Sequence, residues 1–166
     1  MALLSRVFLV TGANKGIGKS IVKKLLQDQT EKIVYLTSRN EELGQKAIND
    51  LEKNGLKPRY HQLDITDQSS INRLRDYLAQ NYNGLDVLVN NAAIGSYDVE
   101  VSQDCNFFGT MDVCEALFPI LKHDARVVHL SSNYSTFGYN LLSPELKRRF
   151  SDPNLNVEGL NFLFYS

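Results

Sequence analysis

The sequence predicts an α/β fold, a doubly wound parallel sheet of strand order 3-2-1-4-5. Three observations predict it. Short apolar runs rich in β-branched residues alternate with amphipathic stretches at nearly even spacing, the pattern of a parallel sheet covered by helices on both faces. The first run leads directly into a glycine-rich turn, Thr-Gly-Ala-Asn-Lys-Gly-Ile-Gly over residues 11–18. Right-handed crossovers between such strands then restrict the topology to a doubly wound order.

Taken in order, residues 6–11 (RVFLVT) are apolar on both sides, as a central parallel strand requires. A helix is expected from about Ile17 to Gln29, with Ile21, Val22, Leu25 and Leu26 on one face. Residues 32–37 (KIVYLT) form the second strand. A second helix runs from Glu41 to about Asn54 and stops at Gly55. Residues 59–63 (RYHQL) form the third strand, and 68–82 a helix with Ile71, Leu74 and Leu78 in register. Residues 86–89 begin the fourth strand. A helix over roughly 101–121 breaks near Pro119, and 126–130 (RVVHL) form the fifth strand. After Ser132 the pattern weakens. Ser143-Pro144-Glu145 reads as a helix start, and residues 157–166 turn apolar and aromatic with no strand partner.

Composition narrows the function. A net charge of −1 gives no electrostatic case for nucleic acid or an anionic membrane as partner. No apolar run approaches the roughly 20 residues that span a bilayer. The N-terminus runs almost at once into the first strand and glycine turn, so the protein is expected to be unprocessed and cytoplasmic. Cys105 and Cys114 have no metal or redox spacing and read as two partly buried thiols. No metal site is expected.

The glycine turn carries the chemistry. Gly12, Gly16 and Gly18 give the spacing G-x-x-x-G-x-G between a strand and a helix. The first permits the tight turn, the second lets backbone approach a pyrophosphate, and the third lets helix pack on strand. The helix N-terminus then offers free N–H groups and partial positive charge to the phosphates. An acidic residue at the end of the second strand would mark NAD(H); here stands Ser38-Arg39-Asn40. Arg39 can fork onto a 2′-phosphate, and Lys15 adds a second charge, so NADP(H) is the expected cofactor. Residues 1–166 are expected to form a single domain around it, with 157–166 an atypical tail.

These residues resemble the short-chain dehydrogenase/reductase family, and within it the monomeric NADPH-dependent carbonyl reductases. The motifs follow in order: residues 11–18; Leu63-Asp64-Ile65; Asn90-Asn91-Ala92-Ala93; Asn106-Phe107-Phe108-Gly109-Thr110; residues 127–132 (VVHLSS); and Ser143-Pro144-Glu145-Leu146. The resemblance implies a Rossmann-type domain lacking the last strands of the family fold, and reduction of small ketones, aldehydes or quinones with NADPH. It implies that Gly12, Asn14, Lys15, Gly16, Ile17 and Gly18 line the pyrophosphate and ribose, and that Arg39 faces the 2′-phosphate. Asp64 and Ile65 would hold the adenine, and Asn91 the ribose near the nicotinamide. Ser132 would bond the substrate carbonyl; Asn106 would hold its helix open and anchor a water. A monomer is favoured by the family; the residues themselves leave the oligomeric state open.

The chain departs from that pattern in three respects. The family's proton donor is a tyrosine with a lysine four residues on, which brings a hydroxyl of ordinary pKa about 10 toward neutral pH. None of the eight tyrosines here has that lysine: after Tyr134 the position is Gly138, after Tyr139 Ser143. The alternative reading is therefore a catalytically incomplete NADP(H)-binding module or inactive fragment. Ala93 stands where the family has glycine, which would leave the backbone less free, and the stretch 94–105 is shorter than in the family. An unpaired fifth strand would make the isolated chain poorly soluble; light scattering showing a clean monomer would contradict this.

Overall fold

The computed structural model describes residues 5–28 and 30–165, apart from the side chains of Phe162, Phe164 and Tyr165. The expectations for the first four residues, the helix end at Gln29 and the final Ser166 lie outside them. The chain divides into two compact units, residues 1–130 and 131–166.

The first unit is built on five parallel strands: β1 Arg6–Val10, β2 Lys32–Ser38, β3 Arg59–Gln62, β4 Leu85–Asn90 and β5 Leu121–His129. Their order is β3-β2-β1-β4-β5, as the alternating pattern predicts. The connecting helices are α1 Gly16–Gln27, α2 Glu41–Glu52 and α3 Gln68–Tyr82. Between β4 and β5 lie α4 Val99–Gln103, a π-helical turn Asp104–Gly109, α5 Thr110–Leu117 and a 3₁₀ turn Phe118–Ile120.

Alternation along each strand divides the core in two. Val7, Leu9, Tyr35 and Leu88 face one side with Ile71, Leu74, Leu78 and Leu117. Val10, Val34, Leu36 and Val89 face the other with Val22, Ala47, Ile48 and Leu51. Leu9, Leu88 and Leu74 are fully buried; truncating one such leucine to alanine costs about 2–5 kcal/mol. Asp86 ties strand starts together, accepting from the Val7 N–H at 2.7 Å and from Lys122 Nζ at 2.9 Å.

The departures from expectation have local causes. The helix over 101–121 starts earlier, at Val99, because Asp98 caps it by accepting from the Val101 N–H. Pro119 sits in the 3₁₀ turn, where the helix ends. β5 begins at Leu121 rather than at 126. Its ladder jumps from Leu85↔Leu121 to Val87↔Arg126, and Asp124 in the loop between has φ of 64°, so the polar bulge hides the strand's first half.

The second unit holds α6 Tyr134–Leu141, α7 Pro144–Phe150 and α8 Val157–Tyr165. α7 starts where Ser143-Pro144 predicts, with Ser143 Oγ accepting from the Leu146 N–H at 3.2 Å. α6 is absent from the sequence reading, since Ser135, Thr136, Gly138 and Asn140 are weak helix formers. Of the apolar run, Val157–Tyr165 fold as a helix, with Asn156 Oδ1 accepting from the Gly159 N–H. No helix among the described residues is long and apolar enough to cross a membrane.

Candidate functional site

The carboxyl ends of β1, β2, β3 and β4 open onto a cleft of about 400 Å³, lined wholly by the first unit. Gly12, Asn14, Lys15, Gly16, Ile17 and Gly18 form one wall. Arg39, Asp64 and Ile65 form a second region, and Asn91 reaches in from the end of β4. All ten residues that the sequence nominates for cofactor binding thus line one cleft.

The β1–α1 turn is shaped by its contacts. Gly12 has φ of 61°, and a Cβ there would stand 2.7 Å from Ala92 Cα, so both backbone angle and space call for glycine. A Cβ on Gly18 would lie 2.5 Å from Asn91 Nδ2 and 2.9 Å from Ala13 Cα; its absence lets α1 close onto β1 and β4. Asn91 Nδ2 donates to the carbonyls of Thr11 at 2.8 Å and Gly12 at 3.1 Å. Thr11 Oγ1 accepts from the N–H groups of Asn91 at 3.0 Å and Ala92 at 2.9 Å. The turn and the β4 end therefore hold each other.

The helix that starts in the cleft differs from its neighbours. α2 and α3 have side-chain caps: Asn40 accepts from the Leu43 N–H and Asp67 from the Ser69 N–H. α1 has Lys15 at its N-cap, with no side-chain cap bond and no acidic residue in its first turn. Its first N–H groups thus lack a side-chain acceptor and carry the positive end of the helix dipole toward the cleft. Among the described residues Arg39 and Lys15 make no ion pair. An anion fits this wall.

Asp64 shapes the far side. Its Oδ1 accepts from the Thr66 N–H at 3.0 Å and Thr66 Oγ1 at 2.8 Å, fixing the turn after β3. Asn106 lies in the π-helical turn. Its Oδ1 accepts from the Ile94 N–H at 2.8 Å and its Nδ2 donates to the Ile94 carbonyl at 2.9 Å, so one amide clamps the strand-end loop to the widened helix. Ala93 is outside the positive-φ region, so the alanine brings no backbone strain. Ser132 belongs to the second unit and is exposed. Its Oγ accepts from the Tyr134 N–H at 3.2 Å and its carbonyl from Ser135 Oγ at 2.6 Å, a turn into α6.

Cleft residues that the sequence does not nominate for cofactor binding include Asn40, Leu43, Leu63 and Cys105. Leu43 is apolar yet half exposed, a signal available only once α2 is placed. Cys105 is buried, and burial pushes its thiol above the ordinary range, partly countered by the Arg39 charge.

An open parallel sheet with a crevice at the carboxyl ends of its strands, over a glycine-rich β–α turn, defines a protein of the dinucleotide-fold class. The chain belongs to the short chain dehydrogenase family, whose model matches residues 6–144. It is similar to carbonyl reductase (NADPH) 1 of Rattus norvegicus, 46% identical over an alignment of 163 positions that covers 93% of this chain. The human protein of the same name is 45% identical over the same share. The chain spans 58% of the length of each of these relatives. Among solved structures, menthone neomenthol reductase from Mentha piperita superposes with a TM-score of 0.85 at 28% identity, covering 97% of this chain and 72% of that one.

Proposed function

We propose that the chain is the NADP(H)-binding core of a cytoplasmic carbonyl reductase, acting on small ketones, aldehydes or quinones. The observation that carries this reading is the convergence of the uncapped α1 N-terminus, Arg39 and Asp64 on one cleft. The α1 N–H groups and the Gly12–Gly18 backbone would receive the pyrophosphate, with Asn14, Lys15 and Ile17 beside it and the ribose. The Arg39 guanidinium would fork onto the 2′-phosphate. Asp64 and Ile65 would hold the adenine, and Asn91 would orient the nicotinamide ribose while keeping the turn closed. Bound NADPH supplies a hydride to a carbonyl carbon. Ser132 would donate a hydrogen bond to the carbonyl oxygen, and Asn106 would hold a water through the loop it clamps. Relatives named for carbonyl reduction with NADPH support the reading. A monomer is the proposed state.

A second reading has its own observation. With no tyrosine followed four residues later by lysine, the chain as given would bind NADP(H) without turning carbonyls over. One experiment separates the two. NADPH is titrated into the purified chain by its fluorescence, a quinone is added, and the coenzyme's absorbance is followed. Saturable binding with absorbance loss supports the reductase; binding without loss supports the module; no binding defeats both.

A further inference from the structure

The backbone ladder between β2 and β3 pairs Ser38 with Gln62. Among the described residues its last bond is the Leu63 N–H to the Ser38 carbonyl, 3.0 Å. Beyond it the strands part, with Arg39 on one side of the gap and Asp64 on the other. Side chains bridge them instead. The Asp64 N–H donates to Ser70 Oγ at 2.9 Å. Ser70 Oγ donates to Gln62 Oε1 at 2.9 Å. Gln62 Nε2 donates to the Arg39 carbonyl at 3.2 Å.

The direction of this chain is forced from both ends. A backbone N–H can only donate and a carbonyl can only accept. The Gln62 amide must therefore turn its NH₂ to Arg39 and its oxygen to Ser70, and the Ser70 hydroxyl has one proton to give and lone pairs to receive with. Ser70 is fully buried, so water does not replace either bond. On the near side Ser38 Oγ donates to the Asn40 carbonyl at 2.8 Å, so successive carbonyls at 39 and 40 are held. Bonds of one direction reinforce one another, and the buried Ser70 hydroxyl anchors the inner end of the bridge while the Gln62–Arg39 bond lies toward the surface.

We propose that Gln62 and Ser70 are positioning residues that fix the separation of Arg39 from the Asp64 turn, and thereby set the preference for a 2′-phosphorylated adenosine over the unphosphorylated one. The inference rests on the reading of the cleft as an NADP(H) site. Arg39 meets only the extra phosphate, whereas the Asp64 turn meets the adenine common to both coenzymes. Loosening the bridge therefore weakens NADPH more than NADH.

The test is the ratio of Kd values for NADH and NADPH in the full chain, for wild type, Gln62→Met, Ser70→Ala and the double variant, with Tm recorded for each. Gln62 is only partly buried and methionine is close to it in size, so its variant keeps the fold even where Ser70→Ala is costly. The expected result for Gln62→Met is about tenfold weaker NADPH binding with a smaller loss for NADH. The double variant should lose no more than the worse single one, as members of one chain do. Equal loss for both coenzymes, or an unchanged ratio, overturns the proposal while leaving the cleft's reading intact. Failure of the wild type to bind either coenzyme removes that reading, and this proposal with it.

Discussion

Arg39 stands at the end of β2 with no acidic partner among the described residues, so its charge is available to a ligand in the cleft. Arg39→Asp should weaken NADPH binding by about ten- to a hundredfold, since it removes a charge-assisted fork and adds repulsion. It should also move the coenzyme preference toward NADH; an unchanged affinity ratio would remove the phosphate role. Cys105 supplies a second residue-level check. It lines the cleft, while Cys114 does not. Saturating NADPH should slow alkylation of Cys105 and spare the rate at Cys114, read by mass spectrometry of the labelled peptides. The glycine turn was legible because its chemistry is local: three glycines lie between residues 12 and 18, where one strand hands over to one helix. The Gln62–Ser70 bridge was not, because its meaning depends on where β2 and β3 part. The resemblance implies the ribose role of Asn91, yet its hold on the Thr11 and Gly12 carbonyls needs β4 placed beside β1.

Elements carry effects that no single residue does. Tyr35 on β2 is fully buried and its hydroxyl lies 2.9 Å from that of Tyr77 and 2.8 Å from that of Tyr82, both on α3. Arg59 Nη1 donates to Tyr82 at 3.2 Å. Burial foremost, then the bonds from Tyr77 and Tyr82, raises the Tyr35 hydroxyl well above its ordinary 10.0. A group whose folded pKa is raised contributes stability fully present below its unfolded value and lost as pH climbs beyond it. Tm should therefore hold on this account up to about pH 10 and fall above it, and Tyr35→Phe should flatten that fall. An equally steep fall in the variant would assign the alkaline loss elsewhere. Element existence was legible throughout the first unit because periods of two and 3.6 alternate cleanly. The π-helical turn leaves no mark on hydrophobic spacing; only the resemblance, which has Asn106 holding its helix open, points to it, and Asn106 here clamps Ile94.

At the scale of the whole molecule, stability is distributed unevenly. The first unit contains two apolar clusters, one on each face of the sheet. In the second, Leu163 is the single buried side chain among the described residues. Amides of α6 and α7 should accordingly exchange with solvent hydrogen far faster than those of β1, β2 and β4; equal protection would show that residues 131–166 share the core's cooperativity. The lack of any tryptophan gives the Tyr35–Tyr77–Tyr82 knot a practical consequence. With no indole beneath it, the phenolate absorption of Tyr35, read as the difference between the wild type and Tyr35→Phe, gives a label-free optical signal. A spectrophotometric alkaline titration can thus time the release of α3 from β2 in the native chain.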